Sequence, residues 1–484
     1  MKLLTNIRGP LQSYATFDRG FDYFVVGSAA IYLFLSFAQA WGNPRASLVA
    51  AIILAMNGVG AVVGLRIALA KSYPLFVVFF IFSFLFLSVA PLQQIGNDFD
   101  AIFYNLELLT LASFLCAFMT AAGLCFILYR SFRRFEACPN GFMDRSLAAE
   151  QNPNYALLAA LSAVISLGLI AYLGPSLFAA NREAFASGSA DSSKMSTILI
   201  SSFFRPFSLV APVIGCSVAL ARKNAGWVTC FGILVLLGIL INNPLISARF
   251  RASAIIVFCV LAVVGPRSVR LFLITYFAGL LASPIYGSVF RYANAPLDQR
   301  TFSRFFVHVD FSGLDIFCYA IMWVEMKGLE FGSNIMGALL FFVPRGLWEG
   351  KGRTVGEVMH DYIFKLKGFG TDNVSAPPPV EGYFSFGVLG AIIMSIAIVF
   401  VIDRVERRGI RAQALSPWYF ILCLSPMLCM ILLRGPFQVG WSEWVIHSAT
   451  VMTSAVLLLL TRRASHTRPA RSPATVATSG GHGT

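Results

Sequence analysis

The residues of this chain whose types and spacing could do chemistry are mostly cations in unexpected places. Arg205 stands in FFRPF, a few residues into an apolar stretch where Pro206 and Pro212 kink a helix. Either it reaches outward along its own stem or it faces an open cavity. Asn242, Asn243 and Pro244 follow the next apolar stretch in NNPLISARFRAS, with Arg249 and Arg251 just behind. A proline after two asparagines ends a helix and exposes backbone. Planar guanidinium forks placed there suit a phosphate, and headgroup contact is the ordinary alternative.

A second cationic run, FVPRGLWEGKGRTVG, interleaves Arg345, Lys351 and Arg353 with Gly346, Gly350, Gly352 and Gly356, around Trp348. Glycines let backbone amides approach an anion closely while the cations neutralise it. The run lacks the GxxxxGK[ST] order of a nucleotide-binding loop. Farther on, in GTDNVSAPPPVEGYFSFG, Glu381 opens an apolar stretch directly after three prolines. A carboxylate there is favoured by the helix macrodipole, and it could equally serve as a base or accept a sugar hydroxyl. His308, Asp310 and Asp315 in FVHVDFSGLD and Arg434 complete the polar set. No CxxC or Cys/His metal spacing occurs. Of the nine cysteines, Cys116, Cys125, Cys216, Cys230, Cys259, Cys423 and Cys429 fall inside apolar stretches, so the sequence argues against disulfides, zinc and any other metal site.

These residues must be positioned by elements that live in a membrane. The 484-residue chain is 57% hydrophobic and only 12% charged, with a mean hydropathy of +0.73. That charge density is about half that of a soluble domain, which excludes a soluble enzyme. Segments of roughly 20 apolar residues are long enough to cross the hydrocarbon core as helices. We read twelve: Phe24–Ala40, Ala46–Leu65, Leu75–Leu92, Leu106–Leu128, Tyr155–Leu173, Thr197–Ala221, Trp227–Ile241, Ala252–Gly265, Leu271–Ser283, Phe384–Ile402, Trp418–Leu433 and Trp444–Thr461. The expected fold class is an all-α polytopic membrane protein with about twelve spans (11–14).

The formal net charge of +14 could suggest nucleic acid, but its distribution reports orientation. With the N-terminus in the cytoplasm, the inner connections collect Arg130, Arg133, Arg134 and Arg145, then Arg404, Arg407, Arg408 and Arg411, then Arg462, Arg463, Arg468 and Arg471. The whole positive excess then falls inside and the rest of the chain is charge-balanced, so no nucleic-acid partner is expected. Some twenty polar and charged residues precede the first apolar run, which reads as a retained span rather than a cleavable leader.

Residues 1–283 therefore carry spans 1–9, 284–380 form a long external loop between spans 9 and 10, and 381–461 carry spans 10–12. The Ser, Thr, Pro, Ala and Gly of 462–484 predict a disordered cytoplasmic tail. Two apolar patches in the loop, Ile316–Trp323 and Ile335–Val343, read as re-entrant or membrane-surface helices. A loop of this length is more often functional than idle.

Taken in order, NNPLISARF, then VPRGLW with its downstream Lys and Gly, then the E-x-Y-x-x-F-G start of a span resemble the O-antigen or oligosaccharide repeat-unit polymerases, the Wzy-type integral membrane glycosyltransferases. The spacing from Arg345 to Gly356 also matches an R-x(10)-G pattern of external loops in that family. The likeness covers roughly residues 241–389; the first half matches only as a string of spans, and no second such pattern follows the earlier arginines.

The resemblance implies a GT-C-like helical fold in the bacterial inner membrane, both termini cytoplasmic and the loop periplasmic. It implies a polyprenyl-diphosphate-linked glycan as donor, a lipid-linked repeat unit as acceptor, and no cofactor. The product would be O-antigen, capsule or exopolysaccharide. A chain-length regulator and a flippase would be its partners, with membrane lipids around it. Breaking the anomeric C–O bond expels a diphosphate that fixed positive charge must stabilise. Arg345 and Arg249 would hold it, supported by Arg205, Lys351, Arg353 and Arg434. Glu381, Asp310 and His308 are the candidate bases, and Asn243, Pro244, Gly356, Trp348 and Tyr383 would shape the loops.

Two rivals stay open at this stage. An O-antigen ligase would do the same chemistry on a lipid A-core acceptor. A precursor flippase or transporter would place its ionisable residues near the midplane, in related halves that this sequence does not display.

Overall fold

The computed structural model describes residues 11–43, 47–98, 100–132, 153–174, 203–243, 249–265, 273–274, 311–367, 374–413 and 415–459. Among these, every regular element is a helix and no strand occurs. In chain order they are α1 (Leu11–Trp41), α2 (Leu48–Ala70), α3 (Pro74–Phe84), a π-turn (Leu85–Val89), α4 (Ala90–Gly96), α5 (Leu106–Phe132), α6 (Tyr155–Leu173) and α7 (Arg205–Ala221). There follow α8 (Ala225–Asn242), α9 (Arg249–Val264), α10 (Leu314–Lys327), α11 (Ser333–Leu339), α12 (Val355–Lys367), α13 (Pro378–Arg411), α14 (Pro417–Arg434) and α15 (Phe437–Leu459). Eight of the described helical segments are long and apolar enough to cross a membrane, and the chain is a polytopic membrane protein, all-helical in its described residues. Helices α7 and α9 are apolar but shorter. Of the expected span Leu271–Ser283, only residues 273–274 lie within the described part.

The bundle is built around α3–π–α4, which is buried without a break from Tyr73 to Ile95. Its sequence, PLFVVFFIFSFLFLSVAPLQQIG, is apolar on every face, the pattern of a helix surrounded by others rather than by lipid. Helices α2, α5, α13 and α14 pack around it. Gly64 on α2 and Gly123 on α5 receive the Phe80 and Phe79 rings, where an added Cβ would lie 2.3 and 2.2 Å from a ring carbon. Pro91 supplies no amide to the Leu87 carbonyl one turn back, and the helix widens into the π-turn just before it. Asn57 of α2 donates its Nδ2 to that carbonyl at 2.7 Å, and Ser88 Oγ donates back to the Leu54 carbonyl at 2.7 Å. The backbone groups loosened by the proline are thereby used to dock a neighbour.

Helix α13 breaks near its start. Phe386 and Gly387 leave helical geometry, with Gly387 at φ +65°, in the left-handed region that favours glycine. The break lets the backbones of Gly382 and Gly390 touch. The Phe384 and Ser385 carbonyls instead accept the amides of Glu330 and Phe331, at 3.1 and 3.0 Å. Helix α10 has 14 residues, about 21 Å, too short to cross a membrane alone. Its first half, Leu314–Ile321, is buried against α5 and α13. The second loop patch becomes the 7-residue α11 followed by turns.

The bundle has two polar ends. At the end opposite the loop helices, Arg130, Asp403 and Glu406 are buried together. Glu406 Oε1 accepts the amides of Leu75 and Phe76 at the start of α3, at 2.7 and 3.4 Å. Its Oε2 receives Arg130 Nη1 at 2.7 Å. The same guanidinium lies 3.7 Å from Asp403 and 3.7 Å over the Tyr73 ring, while Arg407 pairs with Asp403 one turn along α13.

Candidate functional site

The other end, called here the loop end, gathers most of the residues singled out above. Glu381 is its anchor and is 2% exposed. Its Oε2 accepts Asn334 Nδ2 at 2.8 Å, its Oε1 accepts the Phe437 amide at 3.1 Å, and the Val355 amide also donates to the carboxylate. Val355 and Phe437 begin α12 and α15, so one carboxylate sits at two helix amino termini, where backbone dipoles favour an anion. Ser385 Oγ completes the arrangement, donating to Asn334 Oδ1 at 2.6 Å and the Glu381 carbonyl at 2.9 Å. Neither Asn334 nor Ser385 was singled out from sequence; their link to Glu381 is a long-range contact.

The glycine-rich run folds over this anchor. A Cβ on Gly356 would lie 2.6 Å from Pro436, so the glycine allows the start of α12 to meet the α14–α15 turn. Ser375 Oγ donates to the Arg434 carbonyl at 2.7 Å, bringing buried Arg434 into the same block. Lys351 is buried too, and its ammonium donates to the carbonyls of Leu340, Phe341 and Val343 at 3.2, 3.0 and 2.9 Å. Burial holds that ammonium below the usual lysine range, Arg345 adds to the effect and Glu357 opposes it. Lys351 thus closes the turn after α11.

Arg345 and Arg353 stand on the surface of the block. Arg345 Nη2 lies 3.3 Å from Glu357 Oε2 and its Nη1 donates to the Lys351 carbonyl at 3.3 Å. Arg353 Nη2 lies 2.7 Å from Asp361 Oδ2, and its Nε is 3.8 Å from Glu357. These side chains are about half exposed. Exposed ion pairs contribute only about 0–1 kcal/mol, so an incoming phosphate could displace their carboxylates at little cost. Trp348 is half-buried in the turn between the two arginines. Tyr383 is buried, its ring edge-on to Phe317 of α10 at 5.8 Å, and Trp323 stacks on Phe384 at 4.5 Å.

A second group lies beside the first, in a cleft bounded by α7, α8, α9, α14 and α15. Arg205 opens α7 and donates Nη2 to the Ile241 carbonyl at 2.8 Å. Asn242 Nδ2 returns a bond to the Arg205 carbonyl at 3.1 Å. Asn243, buried, caps α8. The cleft walls are apolar, among them Leu209, Phe258 and Leu428, and its polar lining is Arg205, Asn242, Glu443 and His447. Ile431, one turn before Arg434, also lines it, so the two groups are contiguous. Sequence reading passed over Glu443 and His447, although an ionisable pair one turn apart at the start of an apolar stretch was a signal in plain view.

His308, Asp310 and Pro244 lie outside the described residues, and of Arg249 and Arg251 only the helix backbone is described. Among the described residues, no group of three or more His, Cys, Asp or Glu side chains is placed to hold a metal ion. The arrangement offers fixed and exchangeable guanidinium groups at one end of a membrane bundle, next to a cleft with apolar walls. Comparison with known proteins finds no family model, no curated protein and no solved structure that matches the chain.

Proposed function

We propose that the protein polymerises polyprenyl-diphosphate-linked oligosaccharide repeat units into a surface polysaccharide, as a metal-independent glycosyltransferase of the bacterial inner membrane. In this reading it has twelve spans in a GT-C-like arrangement, its termini are cytoplasmic, and the loop end faces outward. The observation that carries the proposal is the gathering of Arg345, Arg353, Arg434 and Arg205 at one end of the bundle, against the charge distribution that orientation alone would set.

Glycosyl transfer from such a donor develops negative charge on the departing diphosphate, and preorganised guanidinium groups stabilise that charge most where water is partly excluded. Arg345 and Arg353, held by weak exposed pairs, exchange carboxylate for phosphate; Arg205, whose guanidinium donates to the Ile241 carbonyl, is fixed, and Arg434 is buried in the loop block. The acceptor hydroxyl gives up its proton to a base at the same end, and its attack inverts the anomeric centre.

Deletion of the gene, with surface glycan resolved on a gel, tests the proposal. A ladder collapsing to a species carrying one repeat unit supports polymerisation. Complete loss of attached glycan points to a ligase or a flippase, and an unchanged ladder removes the reading.

A further inference from the structure

A carboxylate lies between two guanidinium groups of the loop block. Glu357 is in the first turn of α12, in T-x-x-E after Thr354. That spelling predicts a capping box, in which Thr354 accepts the Glu357 amide and the Glu357 carboxylate reaches back to the Thr354 amide. The first half forms, with the Glu357 amide 3.1 Å from Thr354 Oγ1. The carboxylate is turned to the arginines instead: Glu357 Oε2 lies 3.3 Å from Arg345 Nη2 and 3.8 Å from Arg353 Nε.

Neither guanidinium depends on that carboxylate alone for its place. Arg345 Nη1 donates to the Lys351 carbonyl at 3.3 Å. Arg353 Nη2 donates to the Glu357 carbonyl at 3.3 Å and to Asp361 Oδ2 at 2.7 Å. The backbone beneath them is held as well, because the Val355 amide donates to Glu381 and the Lys351 ammonium to three carbonyls. The side chains of Arg345, Arg353 and Glu357 are about half exposed, so the oxygen that the two arginines share is open to an anion from outside. An anionic oxygen between two guanidinium forks stands where a phosphate oxygen would bind.

A site of this kind must also let its product go. The donor's diphosphate is esterified at both ends, whereas the departing diphosphate is esterified at one, and its free phosphate ionises a second time near neutral pH. Two arginines therefore hold the product more tightly than the donor. A carboxylate tethered within reach competes at a high effective concentration. Resting on the glycosyl-transfer reading above, we propose that Glu357 is an internal competitor for the diphosphate. Its carboxylate fills the position between Arg345 and Arg353 while the site is empty, yields to the donor, and returns to displace the polyprenyl diphosphate that is left. Glu357 makes and breaks no covalent bond; it sets how tightly the two arginines hold phosphate.

Inorganic pyrophosphate titrated calorimetrically into purified full-length protein in detergent tests this without turnover. Glu357→Gln should bind pyrophosphate about three- to tenfold more tightly than wild type, the range that weak exposed ion pairs can withhold. Glu349→Gln removes the same charge from an exposed position in the turn after Trp348 and should bind as wild type does. Adding Arg345→Ala to Glu357→Gln should abolish the gain. Equal affinities for wild type and Glu357→Gln, a matching gain in Glu349→Gln, or a gain that survives Arg345→Ala would each overturn the proposal. So would the lack of binding by both wild type and Glu357→Gln. In washed membranes of the deletion strain, Glu357→Gln should reach half-maximal chain growth at about three- to tenfold less lipid-linked donor than wild type, and an unchanged KM would overturn the competition with donor. Wild-type membranes that build no chains, with the calorimetric difference intact, would remove the glycosyl-transfer reading and leave Glu357 as a competitor for pyrophosphate.

Discussion

Glu381 and Glu406 stand twenty-five residues apart on α13, and each caps the amino terminus of a different helix. Glu381 accepts the first amide of α15, and Glu406 accepts the amides of Leu75 and Phe76 in the first turn of α3. Gly382 touches Gly390 across the break, so the sixteen residues from Gly390 to Glu406 set the separation of the two carboxylates, roughly 24 Å at 1.5 Å per residue. Helix α13 is thus a strut with an anionic socket at either end, and the loop block is seated on one of them.

The loop-end socket should be structural at its core. Glu381→Ala leaves the Phe437 and Val355 amides and Asn334 without their acceptor, and should cost about 3 kcal/mol. Thermal unfolding in detergent should show that loss, and Glu381→Gln, which keeps one acceptor oxygen, should lose less.

The opposite socket pairs charges inside the protein. Arg130→Ala strands Glu406 and Asp403, and should destabilise by about 3–5 kcal/mol. Replacing the pair together, Arg130→Met with Glu406→Leu, removes the uncompensated charge and should recover part of the loss. A chemical denaturation series on the single and double variants measures it.

Pro91 and Asn57 should be coupled through the Leu87 carbonyl. Asn57→Leu removes the donor and should cost about 1–3 kcal/mol. Pro91→Ala in that background supplies a backbone amide one turn ahead of Leu87 and should restore part of it. A double-mutant cycle with no interaction energy would contradict the pairing.

Lys351 should behave as a clasp. Lys351→Met leaves the carbonyls of Leu340, Phe341 and Val343 without their common donor, so the turn carrying Arg345 should open. Limited trypsin digestion should then cut faster at Arg345, whereas Arg345→Ala should leave the fold and membrane insertion unchanged and abolish polymerisation.

What could be read from the sequence follows from which forces act locally. Charge density and apolar run length are local, and they marked a helical membrane protein and most of its long helices. Hydropathy does not separate lipid-facing from protein-facing apolar surface, so Leu75–Leu92 read as one span among twelve and not as the buried axis of the bundle. Arg130 read as an orientation charge, because its pairing with Asp403 and Glu406 joins α5 to α13 across the sequence. The loop run was visible as cations among glycines, but its ammonium and its guanidinium groups looked alike. Only the fold separates Lys351, spent on three carbonyls, from Arg345 and Arg353 at the surface. Phe437, Asn334 and Val355 carry no sequence sign that they meet Glu381.

The central claim is that this chain joins repeat units by displacing a lipid diphosphate. Purified full-length protein in nanodiscs, given only lipid-linked repeat units extracted from the deletion strain, tests it by mass spectrometry. Lipid-linked dimers and longer chains, with one polyprenyl diphosphate released per bond formed, are the predicted result. Unchanged single units, at protein levels where the wild-type fold is intact, would contradict it.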